Sequence, residues 1–338
     1  MKSRSAVPTL QDVADRAGVA RATASLALNG KGRMSEQTRQ RVRTAADELN
    51  YVVNVSARNL RTARSGAVGI YIPDHTLSSR YYMDVAFGAV EQAQSSDLLV
   101  TLMPTAFAPR SGITEHLDGF IMVDPMDGDP IVERLLRGRA PVVSGEGSPA
   151  GLPSPFGLVQ SDHRAGMRVL LDHLWEHGSR HPACILPDHS IAWGRQMHEG
   201  YADWCAERGI EPRLAAGTLH ATPQENRELV AAFVADLGEV DAIVGGADGV
   251  ALMALDALRE AGIEVGPDMM LASYVDGDAL AVTEPSITAL DLAPRDFGRR
   301  CMDLLAGALD GTIEAGATVE MPVTLIPRAS TMRVRTLR

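Results

Sequence analysis

The chain has 338 residues, 45% hydrophobic and 22% charged, the balance of a soluble globular protein of two or three domains. No apolar run approaches the roughly 20 residues of a membrane span, and the opening MKSRSAVPTLQD has no apolar core of a secretion signal, so the expected location is cytoplasmic. A net charge of −11 argues against nucleic acid only if it is spread evenly; residues 1–64 hold 12 Lys+Arg against 5 Asp+Glu and the remainder 20 against 38, the asymmetry of a chain whose head alone meets phosphate.

The head reads as helices. In TLQDVADRAGVARATASLALN, Leu10, Val13, Ala14 and Ala17 share one helical face, Thr9 with Asp12 makes a capping-box start, and Gly18 suits a chain leaving a helix with positive φ. Val19 can plug the turn, and a second helix follows over about 21–28, stopped by Asn29-Gly30. This is helix-turn-helix spacing, in which the second helix can lie in a DNA major groove; an ordinary helical hairpin in a core is the alternative. Ser35 is a good N-cap for a third helix over about 36–49, with Val42, Ala45, Ala46 and Leu49 apolar.

Residues 50–65 form a polar, basic joint in which VSARNLR has room for one or two helical turns, too few to stand alone. Leu60 is its exposed apolar residue, open between packing on the next domain and a minor-groove wedge. From Gly66 onward, strand-like runs (68–73, 98–103, 119–123, 141–144, 183–186, 242–245, 269–274 and 321–326) alternate with helix-like runs near 80–95, 164–177, 195–208, 223–237, 248–261 and 294–309. The pattern predicts parallel α/β sheets flanked by helices, with ligands at the carboxyl ends of strands. About 270 residues favours two lobes with a cleft over one sheet.

Three widely spaced cysteines, Cys184, Cys205 and Cys301, read as small buried hydrophobes and not a disulfide frame. Nothing calls for a cofactor or a metal: His173 and His177 stand at i,i+4, but as a structural pair, and no nucleophile-with-base motif or phosphate loop is present, so the protein reads as no enzyme. A transport-type binding protein is the rival reading, and it would lack the basic head.

The segments TLQDVADRAGVARATASLALNG, MSEQTRQRVRTAADELNYVVN, LDGFIMVDP, GLVQSDHRAG, GGADGVALMALDALREAGIEVGPDMMLASYVD and SITALDLAPRDFGRRCMDLL, in this order and spacing, resemble the lactose-repressor (LacI/GalR-type) transcriptional regulators along nearly the whole chain. The resemblance implies an α/β protein with a three-helix headpiece over 1–52, a hinge helix over 53–65, and a two-lobed body over 66–338 like that of periplasmic sugar-binding proteins. Its first lobe would take about 66–160 and 294–318, its second about 161–291 and 320–333. It further implies a homodimer on near-palindromic double-stranded operator DNA, a repressor in preference to an activator, switched by a carbohydrate-like or other small metabolite in the cleft.

By the same resemblance, Arg21, Ala22 and Leu26 face base edges, Thr9, Thr23, Ser25 and Asn29 hold the DNA backbone, and Asn54, Ala57 and Leu60 belong to the hinge helix, with Leu60 as its wedge. Tyr82, Asp162, Trp193, Arg195, Asp248 and Asp276 match or neighbour cleft positions. Asp248 is open between effector contact and helix N-cap, Tyr82 and Trp193 between effector contact and core packing, and Asp276 between effector contact and loop support. Departures are Ala20 for a capping serine, Leu26 for a frequent basic residue, Val53 for a frequent proline, and Met197 where the family commonly has arginine. The last departure implies an effector less sugar-like than usual. The stretch 104–118 is short for the usual helix, which implies a remodelled wall of the body.

Overall fold

A computed structural model describes residues 8–28, 32–51, 64–73, 79–103, 112–218 and 221–332, which divide into two compact units, Met1–Ser65 and Gly66–Arg338.

In the first unit, α1 (Leu10–Ala17), α2 (Arg21–Leu28) and α3 (Glu36–Glu48) pack on one another. Thr9 caps α1 reciprocally with Asp12, and Gly18 closes it at φ 63°, where a residue with a Cβ is strained. Ser35 caps α3 through Thr38 N. The core is built of small residues (Val13, Ala14, Ala17, Ala24, Ala27, Val42, Ala45 and Ala46), with Val19, Met34, Leu49 and Tyr51 packed around it. Arg16 bridges α1 to α3 through Glu48 at 2.7 Å.

The second unit carries two six-stranded sheets. One holds β1 (Ala67–Tyr71), β2 (Leu99–Met103), β3 (Phe120–Val123), β4 (Val142–Gly145), β5 (Gly157–Ser161) and β11 (Ala317–Met321), in the order β11-β5-β4-β3-β1-β2 and parallel throughout. The other holds β6 (Pro182–Pro187), β7 (Arg213–Gly217), β8 (Ala242–Gly245), β9 (Met270–Ser273), β10 (Thr288–Asp291) and β12 (Thr324–Ile326), in the order β12-β10-β9-β8-β6-β7, with only the β10–β12 pair antiparallel. Helices α4 (Arg80–Ala93), α5 (Pro130–Leu136) and α11 (Pro294–Asp310) pack on the first sheet; α6 (His163–Glu176), α7 (Ala192–Arg208), α8 (Pro223–Val234), α9 (Val250–Glu260) and the short α10 (Asp278–Val282) accompany the second.

The chain passes between the sheets three times, after Ser161, after Asp291 and after Met321. At the third crossing, the run 321–326 that reads as one strand is divided between two sheets. Pro322 has no N–H to give a ladder, so the first strand stops at Met321 and pairing resumes at Thr324 on the other lobe.

Strands β5, β7 and β10, all of β11 but Met321, and helices α5 and α10 are absent from the sequence reading. β7 is mostly exposed, and β5 and β11 alternate more and less buried residues, so their apolar signal is weak. Helix α5 is announced only by Asp129 capping Ile131 N at 2.7 Å with Pro130 behind it. A five-residue 3-10 helix, Gly112–His116, occupies the described part of the short stretch before β3. No helix among the described residues is long and apolar enough to cross a membrane.

Candidate functional site

On the first unit, α2 buries Ala24 and Ala27 and turns Arg21, Ala22 and Leu26 outward, with Leu26 43% exposed. These are the three positions assigned to base edges. Thr23 and Ser25 are half-buried beside them. The Thr9 hydroxyl is engaged in its cap, accepting from Asp12 N and donating to Asp12 Oδ2 at 2.7 Å. Ala20 brings no side-chain oxygen to the start of α2. Asn29, Asn54, Ala57 and Leu60 lie outside the described residues.

On the second unit, a cavity of about 370 Å³ opens at the carboxyl ends of both sheets, the position expected of a ligand in parallel α/β folds. Asp124 follows β3 and Glu146 follows β4, and both take left-handed backbone conformations, φ 48° and φ 62°. Non-glycine residues held there carry strain, which persists where the surrounding structure fixes it and which concentrates at binding sites.

Facing them from the second lobe are His163 at the start of α6, Trp193 in α7 and Tyr274 after β9. Glu146 Oε2 lies 2.8 Å from His163 Nε2, and its two oxygens also accept from Ser161 N and Oγ at 3.0 Å. His163 Nδ1 lies 3.0 Å from Tyr274 Oη, whose proton is directed at the His163 carbonyl at 3.4 Å. Burial opposes the imidazolium, but the charge and hydrogen bond of Glu146, with Asp124 beyond it, outweigh burial and raise the His163 pKa above its ordinary value. Both ring nitrogens have a partner, Nε2 in Glu146 and Nδ1 in Tyr274. Gly166 makes room for this arrangement, because a Cβ there would stand 2.4 Å from Tyr274 Oη.

Asp124 is 4% exposed and accepts from the Tyr82 hydroxyl through Oδ2. Burial first, and the Glu146 charge second, raise its pKa to about 7, against the opposing hydrogen bond from Tyr82. Its Oδ1 has no hydrogen-bond partner, and neither has Nε1 of Trp193, which is 8% exposed. Tyr81 meets Tyr82 edge-on, with ring centroids 5.3 Å apart, and adds a further aromatic wall.

Of the residues expected at the cleft, Tyr82, Trp193 and Asp248 line the cavity. Asp248 does not cap the neighbouring helix: α9 begins at Val250 behind Gly249, without a side-chain cap, and Asp248 Oδ2 instead accepts from Ser79 Oγ of the first lobe at 2.7 Å. Asp162 does not line the cavity. It is exposed and caps α6 through Ala165 N at 2.9 Å, while the next residue, His163, turns inward. Arg195 does not line the cavity either and pairs with Asp127 of the first lobe at 3.0 Å. Asp276 is held by both terminal nitrogens of Arg328, at 2.7 and 2.8 Å, and supports a loop. Met197 is fully buried in the second-lobe core, where a guanidinium would be stranded. His173 bonds Thr331 Oγ1 at 2.8 Å and packs against His177 with the rings tilted by 42°.

Sequence reasoning missed Asp124, Glu146, His163 and Tyr274. Their signal is positional: each follows an apolar strand directly or opens the segment after one, and acidic or aromatic residues at that place line the cleft of a parallel sheet.

The model of bacterial regulatory proteins of the lacI family matches residues 9–54, and that of the periplasmic binding protein-like domain matches residues 171–331. The HTH-type transcriptional regulator CelR of Thermobifida fusca is 28% identical over 342 residues, covering 96% of this chain and 98% of that protein. The uncharacterized HTH-type transcriptional regulator in aml 5′ region of Streptomyces limosus is 30% identical over 304 residues, 84% of this chain and 83% of that one. Among solved structures, the transcriptional regulator CelR–cellobiose complex superimposes with a TM-score of 0.70 at 26% identity, covering 96% of this chain and 99% of that chain. An exposed helix-turn-helix face on one unit, a ligand-sized cavity between the paired sheets of the other, and relatives that match both from end to end show that the chain belongs to the lacI family of DNA-binding bacterial transcriptional regulators.

Proposed function

We propose that this protein is a repressor that binds a near-palindromic operator as a homodimer through residues 1–52 and a hinge over 53–65, and that a small molecule in the body over 66–338 switches its affinity for DNA. The observation that carries this reading is the exposed face of α2. Arg21 stands there without apolar cover, and it can make a bidentate pair with guanine, which discriminates by about 1–3 kcal/mol. Ala22 and Leu26 beside it offer apolar contact only, such as a thymine methyl. Thr9, Thr23, Ser25 and Asn29 are assigned to the DNA backbone, where contacts set register without reading sequence. Asn54, Ala57 and Leu60 are assigned to the hinge, with Leu60 from each subunit entering a central base step. One headpiece reads too few base pairs to select a site, so two-fold pairing is required.

The effector contacts are Tyr82, Trp193 and Asp248, now joined by Asp124, Glu146 and His163; Asp162, Arg195 and Asp276 are assigned structural roles. The relative bound to cellobiose carries an uncharged, hydroxyl-rich ligand, and a sugar or related metabolite is the corresponding class here.

Binding selection on random duplexes, with the salt dependence of the selected site measured, tests the reading. A two-fold-symmetric preferred sequence is expected, with Leu60→Ala weakening specific binding much more than non-specific binding. Selection that returns no symmetric site would overturn it.

A further inference from the structure

The exposed face of α2 is chemically divided. By helical spacing Arg21 and Ser25 lie on one flank and Thr23 on the other. Between them Ala22 and Leu26, four residues apart along one line of the helix, present only carbon. Leu26 is 43% exposed, and among the described residues of the head it is the one large apolar side chain left outside the core. Its position is supported from behind: a Cβ on Gly32 would stand 3.2 Å from both Cβ and Cδ1 of Leu26, so the loop before α3 lies directly against the side chain.

A lone leucine on a surface ordinarily calls for no explanation. This one stands on the helix that meets base edges, where whatever it covers loses its water. Base edges in the major groove offer N7, O6 and O4 as acceptors and the N4 and N6 amino groups as donors, and the apolar group among them is the C5-methyl of thymine. A polar base atom covered by leucine gives up a hydrogen bond to water and receives none in return. A C5-methyl gives up nothing and is itself removed from water. Cytosine that carries a C5-methyl presents the same group at the same place on the pyrimidine ring.

Resting on the reading of α2 as the helix that enters the major groove, we propose that Leu26, with Ala22 beside it, is a detector of the pyrimidine C5-methyl group. Each operator half-site then carries that methyl opposite Leu26, in thymine or in 5-methylcytosine, and methylation of a cytosine at this base pair strengthens the complex. Arg21 reads guanine by hydrogen bonds, so one helix face combines a polar and an apolar test of sequence.

The probe is the operator duplex recovered by binding selection, with each thymine replaced in turn by deoxyuridine and each cytosine by 5-methyldeoxycytidine, in symmetry-related pairs, and bound to the full chain. Uracil keeps every hydrogen-bonding atom of thymine and lacks only the methyl. Burial of one methyl is worth about fourfold in affinity, so about fifteenfold for a pair of half-sites. The wild type should show one such position. A loss of that size with deoxyuridine assigns the methyl to thymine, and a gain of that size with 5-methyldeoxycytidine assigns it to a modified cytosine. In Leu26→Ala the methyl effect at this position should fall below about twofold, and in Leu26→Met, which keeps carbon there, it should persist. Each ratio compares two duplexes on one protein, so a change in a variant's overall affinity does not enter it. A symmetric selected site with no methyl-sensitive position, or with a sensitivity that survives unchanged in Leu26→Ala, overturns the proposal and leaves the reading of the headpiece standing. A selection that returns no symmetric site overturns both.

Discussion

Glu146 Oε2 and His163 Nε2 lie 2.8 Å apart with both side chains 3% exposed, the one directly following a strand of the first sheet and the other opening the first helix of the second lobe. A buried pair of this kind adds little when intact, but removing one partner leaves the other charge without compensation, a loss of about 3–5 kcal/mol. The double variant Glu146→Ala/His163→Ala should therefore lower the urea midpoint of the body by less than the sum of the two single changes, because it leaves no stranded charge. Strict additivity of the two single changes would contradict a coupled pair.

Asp124 makes stability fall as pH rises. Its pKa is raised from 3.8 to about 7 in the folded protein, so between those values the folded state keeps a proton that the unfolded chain has released. The contribution is complete below pH 3.8 and is lost as pH passes through about 7. His163, raised above 6.5, acts in the same sense at higher pH, whereas His173, lowered to about 4, weakens the fold as pH drops below 6.5. The difference between wild type and Asp124→Asn isolates the first group. Chemical denaturation at a series of pH values should show a flatter profile for Asp124→Asn over the range from 4 to 7, and parallel profiles would count against the assignment.

Helices α4 and α11 touch backbone to backbone. A Cβ on Gly88 would stand 1.9 Å from the Arg295 carbonyl oxygen, and one on Gly298 would stand 1.9 Å from that of Val85. Overpacking of this kind costs about 1–3 kcal/mol, and more where backbone must move. Gly88→Ala should lower the thermal midpoint of the body, while Gly128→Ala, where a Cβ would meet nothing within 4 Å but φ is 81°, should show only the smaller cost of its backbone conformation. A Gly88→Ala protein as stable as wild type would refute the close approach.

Arg21→Ala should weaken operator binding by about 1–3 kcal/mol and relax preference at one base pair in each half-site, whereas Thr23→Val should weaken binding without changing which sequence is preferred. Competitive binding to a set of single-base operator variants separates the two. Retention of full discrimination in Arg21→Ala would remove it from base reading.

The asymmetry between the two units has a physical origin. In the head, Thr9 meets Asp12 three residues away, Gly18 follows the last turn of α1, and Ala24 and Ala27 recur on one face, so the sequence by itself determined these helices and which side of α2 turns outward. It likewise determined most of the α/β alternation of the body, because the central strands are apolar runs and most long helices have an amphipathic period. Interactions of this kind act over three or four residues and leave a mark in the order of residues. The cavity has no such mark. Asp124, Glu146, His163 and Trp193 come from four segments and meet only because parallel strands end at one edge and the lobes oppose those edges. Asp162 and His163 are adjacent, yet one caps a helix in solvent and the other is buried against Glu146. Asp248, positioned by sequence to open a helix, reaches Ser79 instead, 169 residues away in the chain. Only the tertiary structure decided these partnerships, because burial, charge pairing and unmet hydrogen bonds depend on distance in space and not on distance along the chain.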